Sequence, residues 1–335
     1  MKKVFRLFEG CRLVCGSKRA IIIDIQRNDV FHVPLDLHRI LINNKNKTIN
    51  EILNSYNDQK DTIYNYFEFL EENELGFWTN NPEFFPEMDM SWDAPSHITN
   101  SILDIDADSK YSFMNAITQL DQLGCKNILI RYYSIISLHI LQEHFSCLEK
   151  SRITSVEVLL PYSISIKIND LVNFVNHNIR IKSLIITSSP KESVIQSSTD
   201  RMGGIFSTKE IINNCSYCGN TDISNFCLSL QMISESMNFN NCLNRKISID
   251  KHGFIKNCPS FKDNFGNIAD VNLANVVSNP MFKKYWNITK DNVAKCKNCE
   301  YRYICIDCRA YIADENNILS APAKCNYNPY KCKWN

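Results

Sequence analysis

The 335-residue chain is expected to be an α/β protein, in which strand–helix units build part of a β/α barrel between a small front module and a cysteine-rich domain. Three observations predict this. Residues 1–80 carry short strand-like runs followed by three helical patterns. Apolar strand-like segments then start at residues 98, 127, 154 and 182, about 28 residues apart, which is the length of a βα unit. Finally, thirteen of the fifteen cysteines lie beyond residue 124, and eleven of those fall in the last 121 residues.

In the front module, strand-like runs at residues 4–8, 20–25 and 30–33 precede a helical pattern over 35–41. Thr48-Ile49-Asn50-Glu51 reads as a capping box opening a helix over 49–56, hydroxyl and carboxylate each satisfying the other's backbone donor. Ile63, Tyr66, Phe67 and Leu70 mark one face of a third helix, taken to residue 75, and Phe77 and Trp78 a closing strand. Strands followed by three helices suggest a winged-helix-like module. A linker over 81–96 contains Pro82, Pro86 and Pro95, which discourage regular structure.

Residues 97–205 carry the strand–helix alternation, with strands expected at 98–105, 127–132, 154–160 and 182–187. Between them Phe113/Ile117/Leu120, then Ile136/His139/Ile140 with Leu148, then Leu171/Phe174/Val175 mark amphipathic helices. Successive βα units imply a parallel sheet. His139 and His144 are spaced by five, one off the helical metal pairing, and read as helix-face residues. His252, beside Gly253, reads as a turn residue.

Residues 206–335 hold the cysteines that carry chemistry: Cys242-x10-Gly253-x4-Cys258, then Cys296-x2-Cys299-x5-Cys305-x2-Cys308, then Cys325. Four thiolates hold a cubane iron–sulfur cluster or a structural zinc. A zinc ribbon separates its knuckles by ~15–20 residues, whereas five residues separate Cys299 from Cys305. Sharing these cysteines between two sites is therefore easier than placing all four on one ion. Iron–sulfur is favoured, with zinc as the alternative. Cys11, Cys15, Cys125 and Cys147 read as small buried apolar residues.

Composition narrows the function. With 44% hydrophobic and 22% charged residues, the chain is an ordinary globular sequence long enough for two or three domains. A net charge of +1 gives no bulk attraction to nucleic acid or anionic membrane. Nine glycines, with one Gly-Gly pair at Gly203-Gly204, leave neither a P-loop nor a dinucleotide turn. The first residues are interrupted by Arg6 and Glu9 and do not read as a signal peptide. No run approaches the ~18 apolar residues of a membrane span. A cytoplasmic setting is expected, where clustered cysteines indicate metal rather than disulfides.

The cysteine order resembles the SPASM domain, the auxiliary-cluster domain appended to radical SAM peptide-modifying enzymes. The usual pattern has three residues in the last pair, so Cys305-x2-Cys308 departs by one. The segments Cys242-Leu-Asn-Arg-Lys-Ile-Ser-Ile-Asp250, Ile255-Lys-Asn-Cys-Pro-Ser260 and Cys299-Glu-Tyr-Arg-Tyr-Ile-Cys-Ile-Asp-Cys-Arg-Ala310 look like the SPASM proteins of grasp-with-spasm systems. Those are encoded beside an ATP-grasp peptide ligase and a small precursor peptide. The likeness is strong over the C-terminal third and loose elsewhere. It implies two 4Fe-4S clusters. Cys296, Cys299, Cys305 and Cys325 would hold the outer one. Cys242, Cys258 and Cys308 would hold the inner one, with Cys227 or Cys218 as fourth ligand; Cys215 and Cys332 would be spare or substitute ligands.

Radical SAM chemistry needs CxxxCxxC after the first barrel strand. The corresponding loop here is Asp104-Ile-Asp-Ala-Asp-Ser-Lys-Tyr111, without cysteine, and Cys11-x3-Cys15 meets Lys18 at the third position. The glycine-rich strand end that contacts methionine is replaced by Leu129-Ile-Arg-Tyr-Tyr-Ser134. No S-adenosylmethionine cluster is expected, so the barrel is a degenerate, partial one of the radical SAM type. Asp104, Asp106 and Asp108 read as a solvated acidic strand end rather than a divalent-metal site.

The front module resembles the PqqD-like recognition element of ribosomal peptide maturation, which binds a precursor's leader by strand addition. Residues 1–90 hold 11 Lys/Arg against 14 Asp/Glu, a balance of −3 that disfavours DNA as the ligand. The expected groove lies between the third helix and the strand at 30–33. Tyr64, Tyr66 and Phe67 cannot all face one way, and Phe67 is expected in the core. The expected function is thus leader binding and peptide maturation together with an ATP-grasp ligase. The alternatives are a divergent radical SAM/SPASM enzyme acting directly on the precursor and a zinc-stapled scaffold. Whether the chain catalyses by itself stays open.

Overall fold

Eight elements follow one another at the start of the chain: β1 (Val4–Leu7), β2 (Cys11–Cys15), β3 (Ala20–Asp24), β4 (Asp29–Val33), α1 (Leu35–Asn43), α2 (Ile49–Ser55), α3 (Lys60–Glu72) and β5 (Gly76–Thr79). They are taken from a computed structural model that describes residues 3–199 and 202–334. β1 pairs antiparallel with β5, and β2-β3-β4 form an antiparallel meander. The capping box forms as expected: the Thr48 side chain accepts from Glu51 N–H, and Thr48 N–H donates to the Glu51 carboxylate at 2.8 Å. α3 buries Ile63, Phe67 and Leu70. It stops at Glu72 rather than reaching residue 75, because Glu74 adopts a φ of 51° and Leu75 N–H turns back to the Leu70 carbonyl. β2 escaped the sequence reading.

β3 has no water-facing side. Ala20 and Ile22 enter one core with Val33, Leu37, Phe67 and Leu70, while Ile21 and Ile23 enter a second with Val14, Ile233, Tyr301, Ile304 and Tyr327. Successive strand residues point to opposite faces, so a continuous apolar run is what a strand between two cores requires. By its contacts the first unit accordingly comprises Met1–Trp92, Thr221–Asn241 and Ile288–Asn335.

The second unit comprises Asp93–Asn220 and Cys242–Asn287. Its elements are β6 (Asn100–Ile105), α4 (Phe113–Gln122), β7 (Asn127–Tyr132), α5 (Leu138–Ser146), β8 (Ser155–Pro161), α6 (Ile168–His177), β9 (Ile181–Thr187), β10 (Ser193–Gln196), β11 (Gly204–Ser207), β12 (Lys246–Ile249) and β13 (Ile255–Lys256), with a further helix at Leu273–Ser278. They make an eight-stranded sheet in the order β10-β11-β9-β8-β7-β6-β12-β13, parallel over the inner six strands and antiparallel at both edges. β6 to β9 lie side by side in chain order, as in a β/α barrel rather than a doubly wound sheet.

α4 and α6 bury the expected residues. α5 does not. It buries Leu141 and Phe145 and exposes His139 and Ile140, while Ile136 and Leu148 are buried just beyond its ends. Beyond residue 205 the sequence reading had no strands, yet β12 adds to the sheet beside β6. Among the described residues no helix is long and apolar enough to cross a membrane.

Candidate metal centre

Cys296, Cys299, Cys305 and Cys325 all line one small cavity of the first unit, of about 20 Å³. Local turns place them. A short helical turn at Cys296–Asn298 ends with Cys299 N–H donating to the Cys296 carbonyl at 2.9 Å. Tyr301 O then accepts from Ile304 N–H and Cys305 N–H, both at 3.1 Å. Cys325 arrives from a separate turn, bridged to Thr221. Cys308 does not line this cavity.

Two ammonium groups accompany the thiols. Lys290 is 4% exposed, and its Nζ donates to Ile306 O at 3.0 Å. Burial lowers its pKa, but the thiolate charge of Cys305 and Cys296, with Asp307, more than reverses this and leaves it raised. Lys295 Nζ donates to Cys325 O at 3.1 Å and to Cys325 Sγ at 3.6 Å. Burial pushes the Cys296 thiol up to about 12 and also raises Cys299. Metal ligation must therefore displace these protons.

The surrounding shell is polar. Glu300, fully buried between Cys299 and Tyr301, accepts from Arg19 Nε at 2.6 Å and from Tyr327 Oη at 2.5 Å. Tyr301 Oη accepts from Arg19 Nη2 at 2.8 Å and lies 2.7 Å from His32 Nε2. Arg302 donates to the Cys15 carbonyl at 2.5 Å, and Ser17 N–H to the Asn298 carbonyl at 2.9 Å. Beside buried Cys308, Asp307 pairs with Arg309 at 2.6 Å and accepts from Asn240 at 2.7 Å, both carboxylate and guanidinium being excluded from water. Short polar residues such as Asn240, Asn241 and Asp307 showed no pattern in the sequence; their role exists only once the chain is folded.

In the second unit Lys246 gathers another set. Its Nζ donates to Cys242 Sγ at 3.6 Å. Burial lowers the ammonium's pKa, and the thiolate charge of Cys242, Cys258 and Cys218 overcomes this and leaves it raised. Burial pushes Cys258 up to about 12, with the charge of Cys242 adding to it. Gly253 explains its place in the motif: it takes a φ of 84° in the β12–β13 turn, where Asp250 accepts from His252 and Phe254 N–H. The carbonyl of Cys215 accepts from Ser260. Of the two fourth-ligand candidates, Cys218 belongs to the same unit as Cys242 and Cys258 and acts electrostatically on Lys246 with them. Cys227 belongs to the first unit, exposed, with its Sγ 3.4 Å from Ser229 Oγ.

The acidic strand end is not solvated as expected. Asp104 is 3% exposed and Arg131 6%, joined by two hydrogen bonds of 2.7 and 2.9 Å, with Tyr133 Oη donating to Asp104 at 3.1 Å. Burial raises the Asp104 pKa despite the opposing Arg131 charge. Asp106 pairs with Lys251 at 2.7 Å, and Asp108 alone of the three is exposed. The signal was present in Arg131, a charge inside an apolar strand pattern.

His144 is half-buried, stacked on Phe113 and bonded to Tyr132 Oη at 2.8 Å. Cys11 and Cys125 are buried as expected, whereas Cys15 and Cys147 are only partly so, and among the described residues the cysteines form no disulfide. Among the described residues no three His, Cys, Asp or Glu side chains converge as a single metal ion requires.

No protein-family model and no curated protein matches the chain. Two solved structures resemble it over 92% of this chain and 94% of theirs. They are Streptococcus suis SuiB bound to S-adenosylmethionine, at 13% identity and a TM-score of 0.32, and SuiB bound to precursor peptide SuiA, at 12% and 0.31. At these scores the likeness carries no argument about this chain.

Proposed function

We propose that this chain is a SPASM-type iron–sulfur protein that matures a ribosomally synthesised peptide, binding the precursor's leader and working with an ATP-grasp ligase. The observation that carries the reading is the gathering of Cys296, Cys299, Cys305 and Cys325 around one cavity that leaves Cys308 out. That is the division of ligands the resemblance implies for the outer cluster. Four cysteines on one cavity suit a thiolate-ligated group, an iron–sulfur cluster as the resemblance implies or zinc as the alternative. When bound, such a cluster supplies one-electron exchange and a covalent tie between distant segments. In the second unit, Cys218, Cys242 and Cys258 would hold another.

Leader recognition is proposed for residues 1–80. β4 is an edge strand of its meander, the kind of edge to which an extended peptide adds. Phe67 is in the core as expected, while Tyr64 is exposed and available to a ligand.

The test is iron, acid-labile sulfide and zinc per chain after anaerobic purification, together with binding of the precursor peptide. About eight iron and eight sulfide, as two cubanes require, with micromolar peptide binding, is the expected result. Zinc in place of iron overturns the cluster assignment, and failure to bind the precursor overturns the maturation role.

A second reading, direct redox chemistry on the precursor, draws on the three-thiol set around Lys246. It requires S-adenosylmethionine cleavage or a precursor mass change with this protein alone, and the absence of both rejects it.

A further inference from the structure

We infer that Lys290, Lys295 and Lys246 set the electron affinity of the groups held by the two cysteine sets, each lysine acting as the counter-charge of ligand sulfur. The inference rests on the iron–sulfur reading and goes beyond it by assigning residues that bind no metal.

Burying an ammonium is costly unless an anion compensates it. Lys290 is almost wholly buried, and Lys295 and Lys246 are half-buried. The carboxylates of the first site are already engaged. Asp307 pairs with Arg309 at 2.6 Å, Glu300 with Arg19 at 2.6 Å, and Asp291 with Arg302 at 2.8 Å. In the second unit, Asp250 pairs with Lys256 at 2.9 Å and Asp104 with Arg131 at 2.7 Å. Besides backbone carbonyls, the ammoniums meet sulfur: Cys325 Sγ lies 3.6 Å from Lys295 and Cys242 Sγ 3.6 Å from Lys246, and Lys290 lines the same cavity as Cys296 and Cys305.

Neutral thiols add no negative charge beside these cations, whereas a thiolate-ligated group does. The negative charge of a cysteine-bound cubane grows by one on reduction, so a fixed cation beside its sulfurs favours the reduced form. Net charge and hydrogen bonds to sulfur are the levers by which proteins tune such groups. The four-thiol site holds two such lysines and the Lys246 set holds one, so each set carries its own adjustable charge.

The experiment is an EPR-monitored redox titration of the anaerobically purified full chain, with dithionite as reductant and iron and sulfide counted in every sample. Lys290→Met, Lys295→Met and Lys246→Met are compared with the unaltered protein and with Lys290→Arg. Iron content is expected to persist while each Met variant shows a lower midpoint. A tenfold fall in the reduced-to-oxidised ratio at fixed potential is the expected size, about 59 mV for one electron; Lys290→Arg restores most of it. If Lys290→Met does not fold, the half-exposed Lys295 carries the same expectation. Full iron with unchanged midpoints overturns the inference alone. A protein holding zinc and giving no EPR signal overturns the iron–sulfur reading, and the inference with it.

Discussion

Arg19 and Glu300, 281 positions apart, meet through a 2.6 Å ion pair whose carboxylate is wholly buried. The second carboxylate oxygen, Oε2, is buried without a partner of its own, so Arg19 is the main compensation for that charge. Arg19→Met strands it beside Tyr327 alone. The expected loss is about 3 kcal/mol, read from denaturant unfolding, and a change below about 1 kcal/mol contradicts the assignment.

Because β3 is shared between two cores, one of which contains Tyr301, Ile304 and Tyr327, the proposed metal loading is expected to be coupled to the front sheet. Chelating the metal is expected to collapse hydrogen-exchange protection in Ala20–Asp24 while Asn127–Tyr132, in the second unit, keeps its own. Equal loss in both strands would mean global unfolding instead.

In the second unit, Arg131→Met leaves Asp104 buried and unpaired, at an expected cost of ~3–5 kcal/mol. Replacing both residues by leucine is expected to recover most of that. A double variant as unstable as the single one would show that the pair is not acting as a pair.

Asp24 supplies a pH signature. Burial raises its pKa, but hydrogen bonds from Arg27, at 2.6 Å from the guanidinium, and from Gln26 N–H leave it below the usual 3.8. A depressed carboxyl contributes stability above its unfolded pKa and loses it as pH falls through the folded value. Asp24→Asn is therefore expected to cost about 1 kcal/mol at neutral pH, discounted for the half-exposed Arg27. The difference from the unaltered protein should close below pH 4; a gap constant down to pH 2 refutes it.

What the sequence disclosed follows from range. Strand–helix alternation is a local signal, and the strands at residues 100–105, 127–132, 155–161 and 181–187 fell within two residues of expectation. The capping box was legible because Thr48 and Glu51 are three residues apart. Spacing does not show that Cys218 and Cys227 belong to different units of the fold. The Asp104–Arg131 pair and the Arg19–Glu300 pair join residues far apart in the chain, so no window along it displays them. β12 was missed because four residues in a cysteine-rich stretch are too short to show a period.

The doubly buried β3 also bears on how the protein is made. Val14, Ile21 and Ile23 leave the ribosome long before the residues around Tyr301 and Tyr327 that cover them. Until those follow, one side of the meander is a greasy, half-finished surface beside an open strand edge, the condition under which nascent chains stick to one another. Chains truncated before residue 300 should therefore accumulate as insoluble material or bound to holdase chaperones, and expression yield should depend on how quickly the segment around Tyr301 and Tyr327 is translated.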